Sequence, residues 1–403
     1  MSAIPSALLQ FPPRSLYLHI PFCAGRCAYC DFFSVRSSAY PHAPYIDALL
    51  EQLRVWSSAC GVSSFDTIYI GGGTPSVLEV RLLEKLLSGL AGYAAKGCEW
   101  TIEANPESLS AQFLDTLAGS GVTRVSLGIQ TLSAEEWMVL GRVGSIAESF
   151  AALERARAYP FSLSVDLLAG IPQAHGAVHA DSSSKARLLA SLAELAPRVS
   201  HLSLYDLTLE HGTALERRVA TGELAMPDND ELAELRLAAD QFLALAGFYR
   251  YEVSNYARKG HECRHNEAYW NMEPYLGVGS GAVSTLHLRN PSNPEKLDSL
   301  LRLTGSVNIE RYIENPTAIP SELERIDRST ALFEFLMMGF RTVCGVNLRK
   351  IERLIGVELS SMLPSTFARW KSELVWHGDE VSLNPRNFDI LNRFLVECLE
   401  ELS

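Results

Sequence analysis

Along the first 250 residues, short apolar runs alternate with longer stretches in which apolar positions recur every three or four residues. The short runs predict β-strands beginning near Leu16, Thr67, Trp100, Arg124, Leu163 and Leu202. The longer stretches predict helices. In the first, Ile46, Leu49, Leu50, Leu53 and Trp56 fall on one face. In the last, Asp228 and Glu231 suit a capping box and Gly247 a C-terminal stop. Six βα units in succession imply an α/β fold with a parallel sheet and helical crossovers. Six units are too few for a closed eight-stranded barrel, so an open, partial (β/α)6 barrel over residues 1–250 is predicted.

The rhythm then changes. Residues 251–329 open with a stretch rich in aromatics and glycine and contain a turn-like PSNPEK at Pro291, and form a predicted extension closing the barrel. Residues 330–403 read as a small helical domain with a polar strand pair near Val375 to Leu383. The polar, serine-rich stretch from His175 to Lys185 reads as an inserted loop. The chain is 47% hydrophobic and 20% charged, the profile of a globular core. No apolar run reaches membrane-spanning length, and the N-terminus lacks a basic, then apolar, leader. A net charge of -12 without a long basic run argues against nucleic acid as a partner. Eight cysteines, three crowded and five scattered, suit a reducing cytoplasmic compartment and thiols that bind metal.

In parallel α/β sheets, ligands bind at the carboxyl ends of the strands. Polar signals gather at those ends here. Cys23, Cys27 and Cys30 follow the first strand in HIPFCAGRCAYCDF. Three thiolates spaced C-x3-C-x2-C leave one iron of a [4Fe–4S] cube without a protein ligand. The amino and carboxylate groups of S-adenosylmethionine (SAM) can chelate that iron. An electron from the reduced cluster can then cleave the S–C5′ bond to give a 5′-deoxyadenosyl radical. Zinc, with His19 or Asp31 as fourth ligand, is the competing reading of the spacing. Tyr29 is placed to lie along an adenine or to fill core.

Gly71, Gly72, Gly73 and Thr74 follow the second strand, where glycines let backbone N–H groups approach a charged ligand. Glu103 ends the third strand, as an acceptor for an ammonium or ribose hydroxyls, or as a cap for the next helix. Gln130 and Asp166 end the fourth and fifth, and Arg142 adds a cation. Arg124 begins its strand and reads as half of a structural ion pair.

Together, CAGRCAYCDF, GGGTPS, EANPES, RVSLGIQTL, LGRVGS, SVDLLAGIP, LSLYDLTLEHGT, YEVSNYA and HNEAYW resemble the radical SAM family of oxygen-independent coproporphyrinogen III oxidase, in its HemW branch. The resemblance runs from about Ser15 to the C-terminus. It implies a TIM-like partial barrel of radical SAM type, followed by an extension and a HemN-type, winged-helix-like helical domain. It also implies cluster ligation by Cys23, Cys27 and Cys30. Tyr17, Gly72, Gly73, Thr74 and Glu103 would contact SAM, with Gln130, Arg142 and Asp166 in a second SAM-binding region.

The oxidase branch carries a fourth cysteine where Phe32 stands, and the HemW branch reads CDF as this chain does. That branch implies a heme chaperone passing heme to heme-accepting proteins, served by a low-potential electron donor, with peripheral membrane contact left open. The alternative is a coproporphyrinogen III dehydrogenase that oxidatively decarboxylates propionates to vinyl groups. His265, opening HNEAYW, is the candidate axial ligand for heme, against a core histidine satisfied by its neighbours. Relatives of this kind carry histidines where Gly144 and Val283 stand.

Overall fold

The computed structural model describes residues 6–174, 183–318 and 320–402. Each predicted strand start lies in, or within one residue of, an observed strand. These are β1 (Ser15–Ile20), β2 (Phe65–Gly72), β3 (Ala94–Ala104), β4 (Arg124–Gln130), β5 (Ser162–Ala169) and β6 (His201–Asp206). They pair in parallel in chain order. Among the crossover helices are α1 (His42–Ala59), α2 (Val80–Ala91), α3 (Ala111–Gly119), α4 (Ala134–Leu140), α5 (Ile146–Arg157), α6 (Ser184–Leu195), α7 (Ala214–Ala220) and α8 (Asn229–Leu245).

The sheet is polar on its concave face and apolar on its convex one, and strand alternation produces both. Along β4, Val125, Leu127 and Ile129 enter the core under the helices, while Arg124, Ser126, Gly128 and Gln130 line a central cavity. Along β5, Leu163, Val165 and Leu167 are core, and Ser164 and Asp166 face the cavity. Helix α1 buries Ile46, Leu49, Leu53 and Trp56 as its periodicity requires. Asp228 and Glu231 form the capping box of α8, and Gly247 just beyond it has φ +84°.

The extension alters the sheet beyond the six predicted strands. Short strands β7 (Tyr249–Arg250) and β8 (Asn255–Ala257) add antiparallel to β6. On the other side β9 (Tyr275–Val278) pairs parallel with β1, a seventh parallel strand. Then β10 (Val283–Arg289), β11 (Leu297–Thr304) and β12 (Glu322–Asp327) follow antiparallel. The order is β7-β8-β6-β5-β4-β3-β2-β1-β9-β10-β11-β12, with both edges unpaired among the described residues. Closure therefore does not come from strand pairing. Helix α9 (Arg264–Trp270) instead covers the amino ends of β2 and β3, where Arg264 Nη1 donates to Gly97 O at 2.9 Å and His265 N to Glu99 Oε1 at 3.1 Å.

PSNPEK is the exposed turn between β10 and β11. Of the loop expected at His175 to Lys185, residues 175–182 lie outside the described residues. Ser183 already caps α6, so Ser184 and Lys185 are helical. The C-terminal helices surround a three-stranded antiparallel sheet, the expected pair Leu374–His377 and Glu380–Leu383 plus Val346–Asn347. The boundary at residue 330 cuts a shared core. Leu297, Leu300 and Ile326 of β11 and β12 pack in one cluster with Leu332, Phe335, Leu336 and Phe394.

Candidate functional site

A cavity of about 520 Å³ opens at the carboxyl ends of the parallel strands. Ten of the residues singled out from the sequence line it: Cys23, Cys27, Cys30, Gly72, Gly73, Thr74, Glu103, Gln130, Arg142 and Asp166. Strand alternation and the βα turns bring them together from five strand ends.

The cysteine loop is held from outside the barrel. Ala28 N donates to Leu140 O at 2.9 Å, and Leu215 N to Ala28 O at 2.8 Å. Beneath it Leu140, Ile171, Leu207, Leu215 and Leu224 form a small core of their own, against which Ala28 and Tyr29 pack. The three thiols are partly exposed. Among the described residues no three His, Cys, Asp or Glu side chains converge on a single-ion point. A cube takes one thiolate at each of three separate corners. His19, the candidate fourth zinc ligand, has Nδ1 on Tyr17 OH and Nε2 on Phe33 O, both at 2.9 Å.

Gly71 and Gly72, which end β2, and Gly73 just after it form a cradle too tight for side chains. A Cβ on Gly72 (φ +112°) would lie 2.5 Å from the His19 ring. One on Gly71 would lie 2.8 Å from the Glu103 carboxylate, and one on Gly73 3.0 Å from Cys23 Sγ. Bare backbone here is required by the chain's own close packing against His19, Glu103 and the cysteine loop. Glu103 caps no helix, since Ser110 performs that task for α3. Its carboxylate accepts from Tyr69 OH at 2.8 Å and Gly72 N at 3.1 Å. Burial nevertheless pushes its pKa to about 7, and burial likewise pushes Asp166 to about 6 against hydrogen bonds from Ser203 and Ser126. Glu103 and Asp166 are half-buried carboxyls that line the cavity, the kind of group a polar ligand site gathers. Gln130 takes φ +69°, an uncommon conformation for a side-chain-bearing residue, just past an irregularity in the pairing of β4 with β5.

Arg142 lies over the Trp137 ring, 5.3 Å from its centroid. Its Nη1 is 4.0 Å from Cys27 Sγ, and its Nη2 donates to Gly128 O at 2.6 Å. The guanidinium therefore faces the cysteine loop as well as the second ligand region. Gly144 has φ +85°, and a Cβ there would meet Glu107 and Glu148 within 3.2 Å. The backbone at this point suits glycine better than a residue with a side chain.

Two expected residues do not line the cavity. Tyr17 is turned to His19, and Tyr69, on the neighbouring strand, occupies the wall and holds Glu103. His265 lies on α9 at the opposite end of the strands, 1% exposed. Its Nδ1 bonds Thr67 Oγ1 at 2.8 Å and its Nε2 bonds Tyr269 OH at 3.0 Å. Its ring stacks on Tyr69, and burial pulls its pKa down to about 3. In this arrangement it is a satisfied core histidine, with both ring nitrogens already engaged. Arg124 is the structural ion pair expected, 3.4 Å from Glu99 and donating to the carbonyls of His261 and Glu262 at 2.7 and 2.9 Å. Tyr69 and Asn105 were missed by sequence reasoning. Tyr69 shares the inward face with Thr67 and Gly71, a signal the period of two already carried.

Residues 17–175 match the family model of the radical SAM superfamily. Heme chaperone HemW of Lactococcus lactis is 32% identical over 394 residues, 96% of this chain and 97% of the relative. Heme chaperone HemW of Escherichia coli is 36% identical over 340 residues, 83% and 84% of the two chains. Among solved structures, E. coli coproporphyrinogen III oxidase (HemN), a radical SAM enzyme, superposes with a TM-score of 0.77 at 18% identity. That match covers 98% of this chain and 91% of the other, a likeness of fold alone.

Proposed function

The chain belongs to the HemW family of the radical SAM superfamily, and from that premise we propose that it binds a [4Fe–4S] cluster, SAM and heme, and delivers heme to recipient proteins. The observation that carries the cofactor part is the convergence of three thiols, a side-chain-free backbone cradle and two half-buried carboxyls on one cavity. Cys23, Cys27 and Cys30 would hold the cluster. Gly72 and Gly73 admit the amino-acid end of SAM, and Glu103 offers a carboxylate where its ammonium would come. A cluster and SAM held there would supply one-electron reductive chemistry at the sulfonium. A low-potential electron donor is accordingly a partner in this reading.

The heme part is supported by the relatives, which are heme chaperones over nearly their full length. It is supported further by Phe32, 67% exposed at the cavity mouth where the oxidase branch carries its fourth cysteine. No helix among the described residues is long and apolar enough to cross a membrane.

Anaerobic reconstitution followed by hemin titration tests both parts. About four iron and four sulfide per chain, the content of one cube, are expected. A shifted Soret band that moves to an added apo-hemoprotein is expected next. Zinc without iron sinks the cofactor reading. Cluster without any Soret shift sinks the chaperone reading.

A further inference from the structure

Asn105 follows Glu103 by two residues, and its side chain joins two groups that reach the cysteine loop. Its Nδ2 donates to Thr74 Oγ1 at 3.2 Å, and its Oδ1 lies 3.5 Å from Arg142 Nη2. Thr74 Oγ1 in turn lies 3.5 Å from Cys23 Sγ, and Arg142 Nη1 lies 4.0 Å from Cys27 Sγ.

Chemistry fixes the direction of this relay. A guanidinium only donates, so the amide oxygen must face Arg142 and the amide nitrogen Thr74. The Thr74 oxygen accepts from that nitrogen, which leaves its single proton for the sulfur of Cys23. The amide is itself held in place. Asn105 N donates to Ser76 Oγ at 3.0 Å, and its carbonyl accepts from Ser108 Oγ at 3.2 Å. A Cβ on Gly128 would come within 2.8 Å of Asn105 Oδ1, so the glycine keeps that wall clear.

We propose that Asn105 is a positioning residue that turns the Thr74 hydroxyl and the Arg142 guanidinium onto the sulfurs of Cys23 and Cys27, and so raises the reduction potential of the cluster they hold. The inference rests on the cluster reading above. Reduction adds negative charge to the cluster, and donors or cations at its sulfurs stabilise that charge. Breaking the relay leaves the ligands in place and makes the cluster harder to reduce.

The test is an EPR-monitored redox titration, without SAM, of reconstituted wild type, Asn105→Leu, Asn105→Asp, Thr74→Val and Thr74→Ser, after iron and sulfide assay of each. Asn105→Leu and Thr74→Val are expected to keep the cluster and lower its reduction equilibrium by on the order of tenfold, ~59 mV for one electron. Asn105→Asp is expected to lower it further, because its carboxylate draws the Thr74 proton away from Cys23. Thr74→Ser retains the hydroxyl and is expected to match wild type. If wild type takes up no iron, the cluster reading falls and this inference with it. If every variant loads iron at the wild-type midpoint, the cluster reading stands and the inference is overturned. Should Asn105→Leu fail to fold, Thr74→Val against Thr74→Ser decides, and equal midpoints overturn the proposal.

Discussion

Replacing Gly73 with alanine adds a methyl where the chain leaves no room. The new Cβ would sit 2.8 Å from the Phe22 carbonyl oxygen, 2.8 Å from the Pro21 carbonyl carbon and 3.0 Å from Cys23 Sγ. Two of these are backbone atoms, so no rotamer change relieves the contact. The two segments are also bonded on both sides of the collision. Gly73 N donates to Ile20 O and Thr74 N to Phe22 O, each at 2.8 Å. Overpacking of this kind costs ~1–3 kcal/mol, and the relief open to the chain is to displace Phe22 and Cys23, which moves the first thiol. Gly92→Ala is the matched control. Gly92 has φ -69°, and nothing lies within 4 Å of a Cβ there, so its alanine variant is expected to be neutral or ~0.4–1 kcal/mol more stable. Urea midpoints followed by far-UV circular dichroism, with iron and sulfide per chain after anaerobic reconstitution, measure both effects. Gly73→Ala is expected to lose at least ~1 kcal/mol and most of its iron, and Gly92→Ala neither. A Gly73→Ala protein with wild-type midpoint and wild-type iron refutes the cradle.

Other perturbations probe the walls of the same cavity. Glu103 titrates near 7 in the fold against an ordinary 4.5, because burial outweighs its hydrogen bonds. Between those values the folded chain holds more protons than the unfolded one, so this group's contribution to stability falls as pH rises. Glu103→Gln should therefore gain on wild type between about pH 5 and 8, by up to ~3 kcal/mol; a difference that stays flat with pH in urea titrations refutes the assignment. Leu215→Ala empties a fully buried position under the cysteine loop. It should cost ~2–5 kcal/mol and speed cluster loss to a chelator, and an unchanged loss rate would show the loop to be held by other means. His265→Ala strands the hydroxyls of Thr67 and Tyr269, at ~1–3 kcal/mol each, and a wild-type urea midpoint would contradict the core role. If an iron takes His265 as ligand, α9 must first release both bonds, so hemin uptake would saturate at the helix-opening rate; uptake that stays linear in hemin concentration excludes that route.

The barrel was legible because each of β1 to β6 carries a short apolar run followed by a helical pattern. Leu127 and Ile129 against Ser126 and Gly128 announce two faces by residue type alone. The later strands were not legible, for physical reasons. β7 and β8 are two and three residues long, too short for a period to register. β12, Glu-Leu-Glu-Arg-Ile-Asp, is a free sheet edge with one buried residue, and its charges read as loop. For the site, residue type named the groups but not their partners. Tyr17 and Tyr69 stand in register on neighbouring strands, and only the packing shows that Tyr69 takes the Glu103 carboxylate while Tyr17 turns to His19. Asn105 was readable as a residue beside Glu103, but not as the bridge between two side chains 31 and 37 positions away. His265 shows the converse. Its motif raised a ligand reading that its two hydrogen bonds and its burial do not support in this conformation.

The apolar cluster common to β11, β12 and the last helices bears on how this architecture can be dissected. Ending the chain at residue 329 would leave Leu297, Leu300 and Ile326 facing water on a sheet that also carries β1 and its cysteine loop. Domain grafting would meet the same obstacle, since a transplanted barrel needs those terminal helices, or a substitute of matching shape, to stay dispersed. The tail is thus a lid on hydrocarbon rather than a detachable module.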